Sequence, residues 1–382
     1  MNEAAQTRPR VVIAGFGDTG LLVALHLRKR YQIVGITPKP CLVSGQELGT
    51  RLTRPDQWRE NYLMDYARYP HLQGVTVIQG LVTAIDPQQQ TVTLQNVQGD
   101  EQIERYDVLV IASGVRNGFW RTAHIETIDD IQRHLQTTSQ ALLGARSVAI
   151  IGGGPTGVST ASNLKETNPA ADVHLFFSQE QPLPGYHPAT RRKIQQRLAA
   201  QGVHLHPGHR AILPTHGRAD SLTRDPVQWH TGQSAFTADQ VLWATGQLKP
   251  NNAFIPRDML NEKGFVKADA FLRVPGYANV FTVGDIADTD PLRCSARNAG
   301  FLTLAHNIDA VLQQRPHKLK RFKPARYRWG SILGVQNEGM RIFTPNGGDV
   351  RVSRPLVKRV LFPLFVHRMI YRGIRKPSTR TE

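Results

Sequence analysis

Val11 to Ala14 is an unbroken apolar run between Arg10 and Gly15, the pattern of a strand buried on both faces of a parallel sheet. GFGDTG follows at once, a helical stretch runs from Thr19 to Arg30, and Ile33 to Ile36 forms a second apolar run, so the opening forty residues predict a βαβ unit. The arrangement then returns. Ser147 to Ile151 precedes GGGPTG, a helical segment continues to about Glu166, and Val173 to Phe177 supplies the next strand. Each half also closes alike: YDVLVIASG ends at Gly114, 99 positions after Gly15, and ADQVLWATG ends at Gly246, 94 positions after Gly152. A repeat of both opening and closing signals at so similar a period is the mark of an internal duplication. Between them, Val75 to Gln79, Val82 to Ile85 and Thr91 to Leu94 read as short meander strands separated by turn residues.

The glycines of the two openings carry the first chemical information. Gly15, Gly17 and Gly20, and again Gly152, Gly154 and Gly157, stand where a strand turns into a helix. That spacing permits a tight turn, close approach of backbone to a pyrophosphate, and close helix packing. The helix N-terminal amides then face the diphosphate charge. A single such fingerprint is also an ordinary glycine-rich turn; two in matching context point to two dinucleotides.

With its closures and with NVFTVGDIA at Asn279 to Ala287, the chain resembles the FAD- and NAD(P)H-dependent oxidoreductases with two dinucleotide-binding domains over about residues 10 to 314. The resemblance implies an α/β fold of two nested Rossmann-like domains. The FAD domain, residues 1–114 and 251–314, is interrupted by an NAD(P)H domain, residues 115–250, and a basic segment follows at 315–382. It implies that Gly15, Gly17, Gly20, Ser113, Gly114, Gly284 and Asp285 bind FAD, with Asp285 on the ribityl chain. Gly152, Gly154, Gly157, Ser159, Ser178 and Gly246 would bind NADH or NADPH. The following helix would point its N-terminus at the flavin pyrimidine and favour negative charge there. Within the class the chain is most similar to type II NADH dehydrogenases and apoptosis-inducing-factor-like quinone reductases.

Some positions depart from that pattern. Thr37, Pro38 and Lys39 stand where a ribose-binding acid belongs after the second strand. Phe177, Ser178 and Gln179 hold no acid in the coenzyme half, so both NADH and NADPH are expected to serve. Ser159 replaces the family's glutamate after the second fingerprint, and SARNAG lacks the paired glutamines that type II dehydrogenases carry after the GD pair.

Composition narrows the remaining choices. Cys41 and Cys294 are the only cysteines and have no CxxC spacing, which argues against a disulfide framework and a redox-active cysteine pair; Cys294 reads as a structural thiol. The 14 histidines show no compact ligand motif, and no metal is assigned. The start MNEAAQTRPR lacks the apolar core of a signal peptide, and VLFPLFV is too short to span a bilayer, so a cytoplasmic protein is expected, peripheral at most on the inner face of a membrane. Trp120 reads as interdomain packing before a cover on a cofactor ring, and Arg297 as either an exposed helix residue or a contact to flavin or acceptor.

The formal charge is +17, and residues 315–382 hold 17 Lys and Arg against 3 Asp and Glu, which places +14 there. Pro363 is expected to divide the end into two helical pieces, with Arg368, Arg372 and Arg375 on one face and Phe362, Val366, Met369 and Ile370 on another. That suits an interfacial helix on anionic lipid, with a helix docked on the protein's own core as the near alternative, better than a nucleic-acid tail. The expected activity is electron transfer from nicotinamide through flavin to a lipophilic quinone. A soluble reductase of a redox protein and a nucleotide-sensing interaction protein remain as alternatives.

Overall fold

The computed structural model describes residues 8–116, 122, 124–214, 222–246, 248–293, 295–296 and 299–372. Trp120, Cys294, Arg297 and Arg375 lie outside them. The first half runs β1 (Arg10–Ala14), α1 (Asp18–Leu27), β2 (Gln32–Thr37), α2 (Leu48–Thr53), α3 (Pro55–Tyr62), β3 (Val75–Asp86), β4 (Thr91–Asn96), β5 (Glu101–Arg105) and β6 (Val108–Ile111). The second runs α4 (Ile128–Leu143), β7 (Ser147–Ile151), α5 (Pro155–Thr167), β8 (Asp172–Phe176), α6 (Pro188–Ala200), β9 (His204–His206), β10 (Leu222–Thr223) and β11 (Gln240–Trp243). After it come β12 (Val280–Thr282), α7 (Gly300–Leu312), β13 (Gly330–Gln336), β14 (Gly339–Phe343) and β15 (Asp349–Ser353).

The first sheet has the order β12-β6-β1-β2-β3-β4-β5, so the late strand β12 returns to the edge of the sheet that β1 opens. Strands β12 through β3 are parallel, whereas β4 and β5 run antiparallel. The second sheet, β9-β8-β7-β11-β10, is parallel except at β10. Alternation explains the apolar runs. Val11 and Ile13 join the cluster built on α1 and α7, while Val12 and Ala14 face the opposite cluster with Val34, Ile36 and Met259. Val148 and Ile150 likewise turn to one core and Ala149 and Ile151 to another. A strand covered on both faces has no solvent side on which a polar residue could alternate.

Two expectations about strands need correction. Val75 to Gln79 and Val82 to Ile85 are not separate strands: β3 is continuous, pairing in parallel with β2 through Gln79 and antiparallel with β4 from Gly80, with a register shift between Val82 and Ala84. The bulge bends the strand without ending it. The basic C-terminal part, for which only helical pieces are expected above, also holds an antiparallel sheet of β13, β14 and β15.

That small sheet explains an oddity of α5, whose Ser159, Thr160, Ser162 and Asn163 are all buried. Asn163 Nδ2 donates to the Leu333 carbonyl (2.7 Å), Gln336 Nε2 donates to Asn163 Oδ1 (3.1 Å), and Ser162 Oγ donates to Gln336 Oε1 (3.0 Å). β13 thus satisfies Ser162 and Asn163, while the Ser159 and Thr160 hydroxyls donate within the helix to the Thr156 carbonyl (3.2 and 2.8 Å). Arg54 fastens the same junction, donating to Glu166 (2.8 Å), Thr167 (3.0 Å) and the Val335 carbonyl (3.0 Å).

The chain then turns through Arg354–Leu356 into one wide-turn helix, Val357–Ile370, with Pro363 inside it. This corrects the expected division at Pro363. Bonding five residues back, as the Tyr371 amide does to the Val366 carbonyl, widens the turn that proline would obstruct in an α-helix. The expected apolar face also splits: Phe362 is buried against Tyr62, and Val366 packs on the core, whereas Met369 and Ile370 point outward with Leu356, Val360, Leu364 and Phe365. Among the described residues no helix is long and apolar enough to cross a membrane.

Candidate functional site

The two fingerprints have the same stereochemistry. Gly15 has φ +107° and Gly152 φ +127°; a Cβ at either would lie 2.3 or 2.1 Å from the carbonyl oxygen of Ala112 or Ala244, in the two closures. A Cβ at Gly20 would lie 2.2 Å from the Gly15 oxygen, and one at Gly157 2.0 Å from the Gly152 oxygen. The middle glycines differ: a Cβ at Gly17 or Gly154 meets nothing within 4 Å. The first and third glycines are therefore demanded by the protein's own packing, and the second leaves backbone open to a ligand. Both helices begin after that glycine without a side-chain cap, so the amides of their first turn, which in α5 start at Thr156 after Pro155, remain available to an anion.

The fold brings the GD pair to the first fingerprint. Gly284, at φ +88°, faces the Thr19 hydroxyl, and its amide donates to the buried Ser295 Oγ (3.0 Å). Asp285 follows, half-buried. Ser113 and Gly114 lie at the seam where the chain crosses between units: Ser113 Oγ donates to the Asn251 carbonyl (2.8 Å), and Asn251 Nδ2 returns a bond to the Ser113 carbonyl (2.8 Å). Gly246 closes the second sheet at φ +73°, with no atom near its Cβ position.

Ser159 and Ser178 are placed very differently. Ser159 is buried under Gly49, where a Cβ would fall 2.3 Å from its Oγ, and its hydroxyl donates to the Thr156 carbonyl (3.2 Å). A longer side chain at 159 would collide with α2, which accounts for the serine. Ser178 is exposed just beyond β8. The nearby Arg191 spends its guanidinium on the carbonyls of Pro182 (2.9 Å) and Gln181 (2.7 Å).

Three features were not legible from local sequence. Glu126 reaches the end of β2, where its amide donates to the Pro38 carbonyl (3.1 Å) and its carboxylate, only 3% exposed, pairs with Lys39. A buried acid thus stands beside the end of β2, supplied from far along the chain and paired with the Lys39 ammonium. Burial, with Arg51 nearby, brings Lys39 down to about 8. Asp18, the acid within GFGDTG, accepts from Ser44 Oγ (3.1 Å), the Gly45 amide (2.9 Å) and the Tyr371 hydroxyl (2.6 Å). Tyr371, buried on the far end of the C-terminal part, is consequently tied to the first turn of α1.

Comparison with known proteins agrees with this geometry. Oxidoreductase OXR1 of Ajellomyces capsulatus is 29% identical over 248 residues, covering 60% of this chain, which spans only 51% of that relative. Ferroptosis suppressor protein 1 of Mus musculus is 26% identical over 278 residues, covering 69% of this chain and 70% of its own length. The structure of NDH2 from Plasmodium falciparum in complex with NADH has the same fold, with a TM-score of 0.68, 14% identity and 96% of each chain covered. Residues 9–307 match the pyridine nucleotide-disulphide oxidoreductase family. The chain belongs to that family and is an FAD-dependent NAD(P)H oxidoreductase.

Proposed function

We propose that the chain carries two electrons from NADH or NADPH to a lipophilic quinone at an anionic membrane surface, as a peripheral protein on the cytoplasmic face. FAD would lie along Gly15, Gly17 and Gly20, with Ser113 and Gly114 at its closure and Asp285 at the ribityl hydroxyls. The nicotinamide coenzyme would lie along Gly152, Gly154 and Gly157 to Gly246, its adenosine end near Ser178. When bound, FAD supplies the relay between a two-electron donor and an acceptor. The protein's part would be to hold each dinucleotide at a helix N-terminus and to keep water from the space between them. Ser159, enclosed by α2, acts through the packing of α5.

The observation that carries the quinone reading is the outer face of the terminal helix. Leu356, Val360, Leu364, Phe365, Met369 and Ile370 are exposed there, and Lys358, Arg359, Arg368 and Arg372 are exposed on the same helix and its end. Apolar side chains at headgroup depth with basic residues beside them are the pattern of an interfacial helix. The opposite face is anchored by Val357, Phe362 and Tyr371, so docking would bring the flavin-binding unit itself to the bilayer.

Leu364→Glu with Phe365→Glu tests this without opening the core. Burial of each side chain is worth roughly 1.5–3 kcal/mol, so binding to anionic liposomes and turnover with a lipophilic quinone should each fall by more than about tenfold. NAD(P)H-to-dye turnover should be unchanged. Undiminished liposome binding and quinone turnover would exclude the membrane reading. Turnover with an acidic redox protein but no quinone would favour the soluble-reductase alternative.

A further inference from the structure

Asp172 and His174 alternate on β8 and therefore share one face of the second sheet. In the parallel pairing with the edge strand β9, His204 stands directly beside His174, and His206 beside Phe176. Register alone thus gathers residues that no contiguous ligand motif contains, which is why the sequence reading assigns no metal. Their donor atoms converge. His174 Nε2 lies 2.9 Å from one Asp172 carboxylate oxygen and His204 Nε2 3.0 Å from the other, and one donor atom from each residue fits within 4.8 Å of the rest.

We propose that Asp172, His174 and His204 form a divalent-metal site suited to Zn2+. Two imidazole nitrogens and a carboxylate are the borderline donors this ion takes, and ligand distances of about 2.0–2.2 Å place tetrahedral donors roughly 3.4 Å apart. The two nitrogen–oxygen separations need to open by only about half an ångström, and the donor atoms, all within 4.8 Å of one another, to draw in around the ion. Asp172 and His204 are more than half exposed, leaving the outward positions to water. His174 is the fixed ligand: its side chain is 14% exposed, and its ring lies 4.7 Å from the His204 ring and 4.6 Å from that of Phe236. With the ion on Nε2, His174 Nδ1 carries the proton and donates to His206 Nε2, 2.9 Å away, the outer hydrogen bond that orients a metal-bound imidazole.

The site lies toward the beginning of β8, whereas the second fingerprint meets the end of that strand, where the Gly152 amide donates to the Phe176 carbonyl. The ion would therefore clip the edge strand β9 to β8 and take no part in electron transfer. Chelator-stripped, flavin-loaded protein should bind one Zn2+ per chain by calorimetric titration, with a dissociation constant in the micromolar range or below, and Zn2+ should raise its thermal midpoint. Asp172→Asn with His204→Asn should weaken binding more than about thirtyfold and abolish the thermal shift, with NAD(P)H-to-dye turnover retained. Co2+ added to the unaltered protein should give the visible bands of a low-coordinate nitrogen and oxygen site. Absence of stoichiometric Zn2+ uptake, or equal uptake by the double variant, would overturn the proposal.

Discussion

A methyl group added at Gly20 would sit 2.2 Å from the Gly15 carbonyl oxygen, whereas one added at Gly17 meets nothing within 4 Å. Gly20→Ala should therefore cost stability, by about 1–3 kcal/mol in denaturant titration, and lose flavin as a consequence. Gly17→Ala should leave the unfolding midpoint of the flavin-free chain nearly unchanged while weakening FAD binding tenfold or more, about 1.4 kcal/mol, by blocking approach of the pyrophosphate. Equal behaviour of the two variants would contradict the separate roles. Cys41 gives a second residue-scale prediction. Burial pushes its thiol up to about 12. At pH 8 only about one thiol in 10⁴ is ionised, so peptide mapping should find Cys41 alkylated after denaturation and protected before it. The glycine triads were legible in sequence because their roles follow from spacing within one turn. Glu126 was not, because its place beside Lys39 depends on a loop that returns to β2 from another part of the chain.

At the scale of elements, β1, α1, β2 and their counterparts β7, α5, β8 are read directly from apolar runs and glycines, since strands buried on both faces admit few polar residues. The sheet of β13, β14 and β15 escaped notice because its strands carry charges on the exposed side, as Arg341 and Arg351 do, and the charge of the segment drew the reading toward a tail. The polar positions of α5 were the overlooked sign, because buried serines and asparagine on a helix call for a hydrogen-bonding partner. Asn163→Leu would remove the donor to Leu333 and the acceptor for Gln336 while introducing branched bulk between α5 and β13. Gln336 Nε2 keeps its bond to the Leu333 carbonyl (2.9 Å), so the cost is that of the lost hydrogen bonds, about 0.5–1.5 kcal/mol each, and of overpacking, about 1–3 kcal/mol, and the urea midpoint should drop by the equivalent of about 2–4 kcal/mol. A change under about 0.5 kcal/mol would mean that β13 does not hold α5 as described.

For the whole molecule, the C-terminal part joins the two dinucleotide units. Leu333 and Phe343 enter the core of the second unit, Val357 and Phe362 pack with Trp58 and Tyr62, and Tyr371 bonds to Asp18 in the first fingerprint. Sequence charge and hydrophobicity left both a membrane-associating helix and a helix docked on the protein's own core open; the contacts make the segment a clasp on the core, with apolar side chains exposed on its outer side. Deleting it would disturb the fold together with the proposed membrane contact, which is why substitution at Leu364 and Phe365 is the discriminating change. Ser178 and Gln179 stand where a ribose-binding acid would follow Phe177, and Arg191 is committed to loop carbonyls, so among the described residues no ribose or phosphate clamp is assigned at Ser178 and reduction by both coenzymes is expected. The most direct test of the central claim is anaerobic titration of the purified chain. It should carry about one FAD per chain, by the stoichiometry of a single fingerprint and GD pair. The flavin absorbance should bleach with one equivalent of either NADH or NADPH, their kcat/KM values differing by less than about 10³. A folded preparation that holds no flavin and cannot be reconstituted with FAD, or whose flavin neither coenzyme reduces, would contradict it.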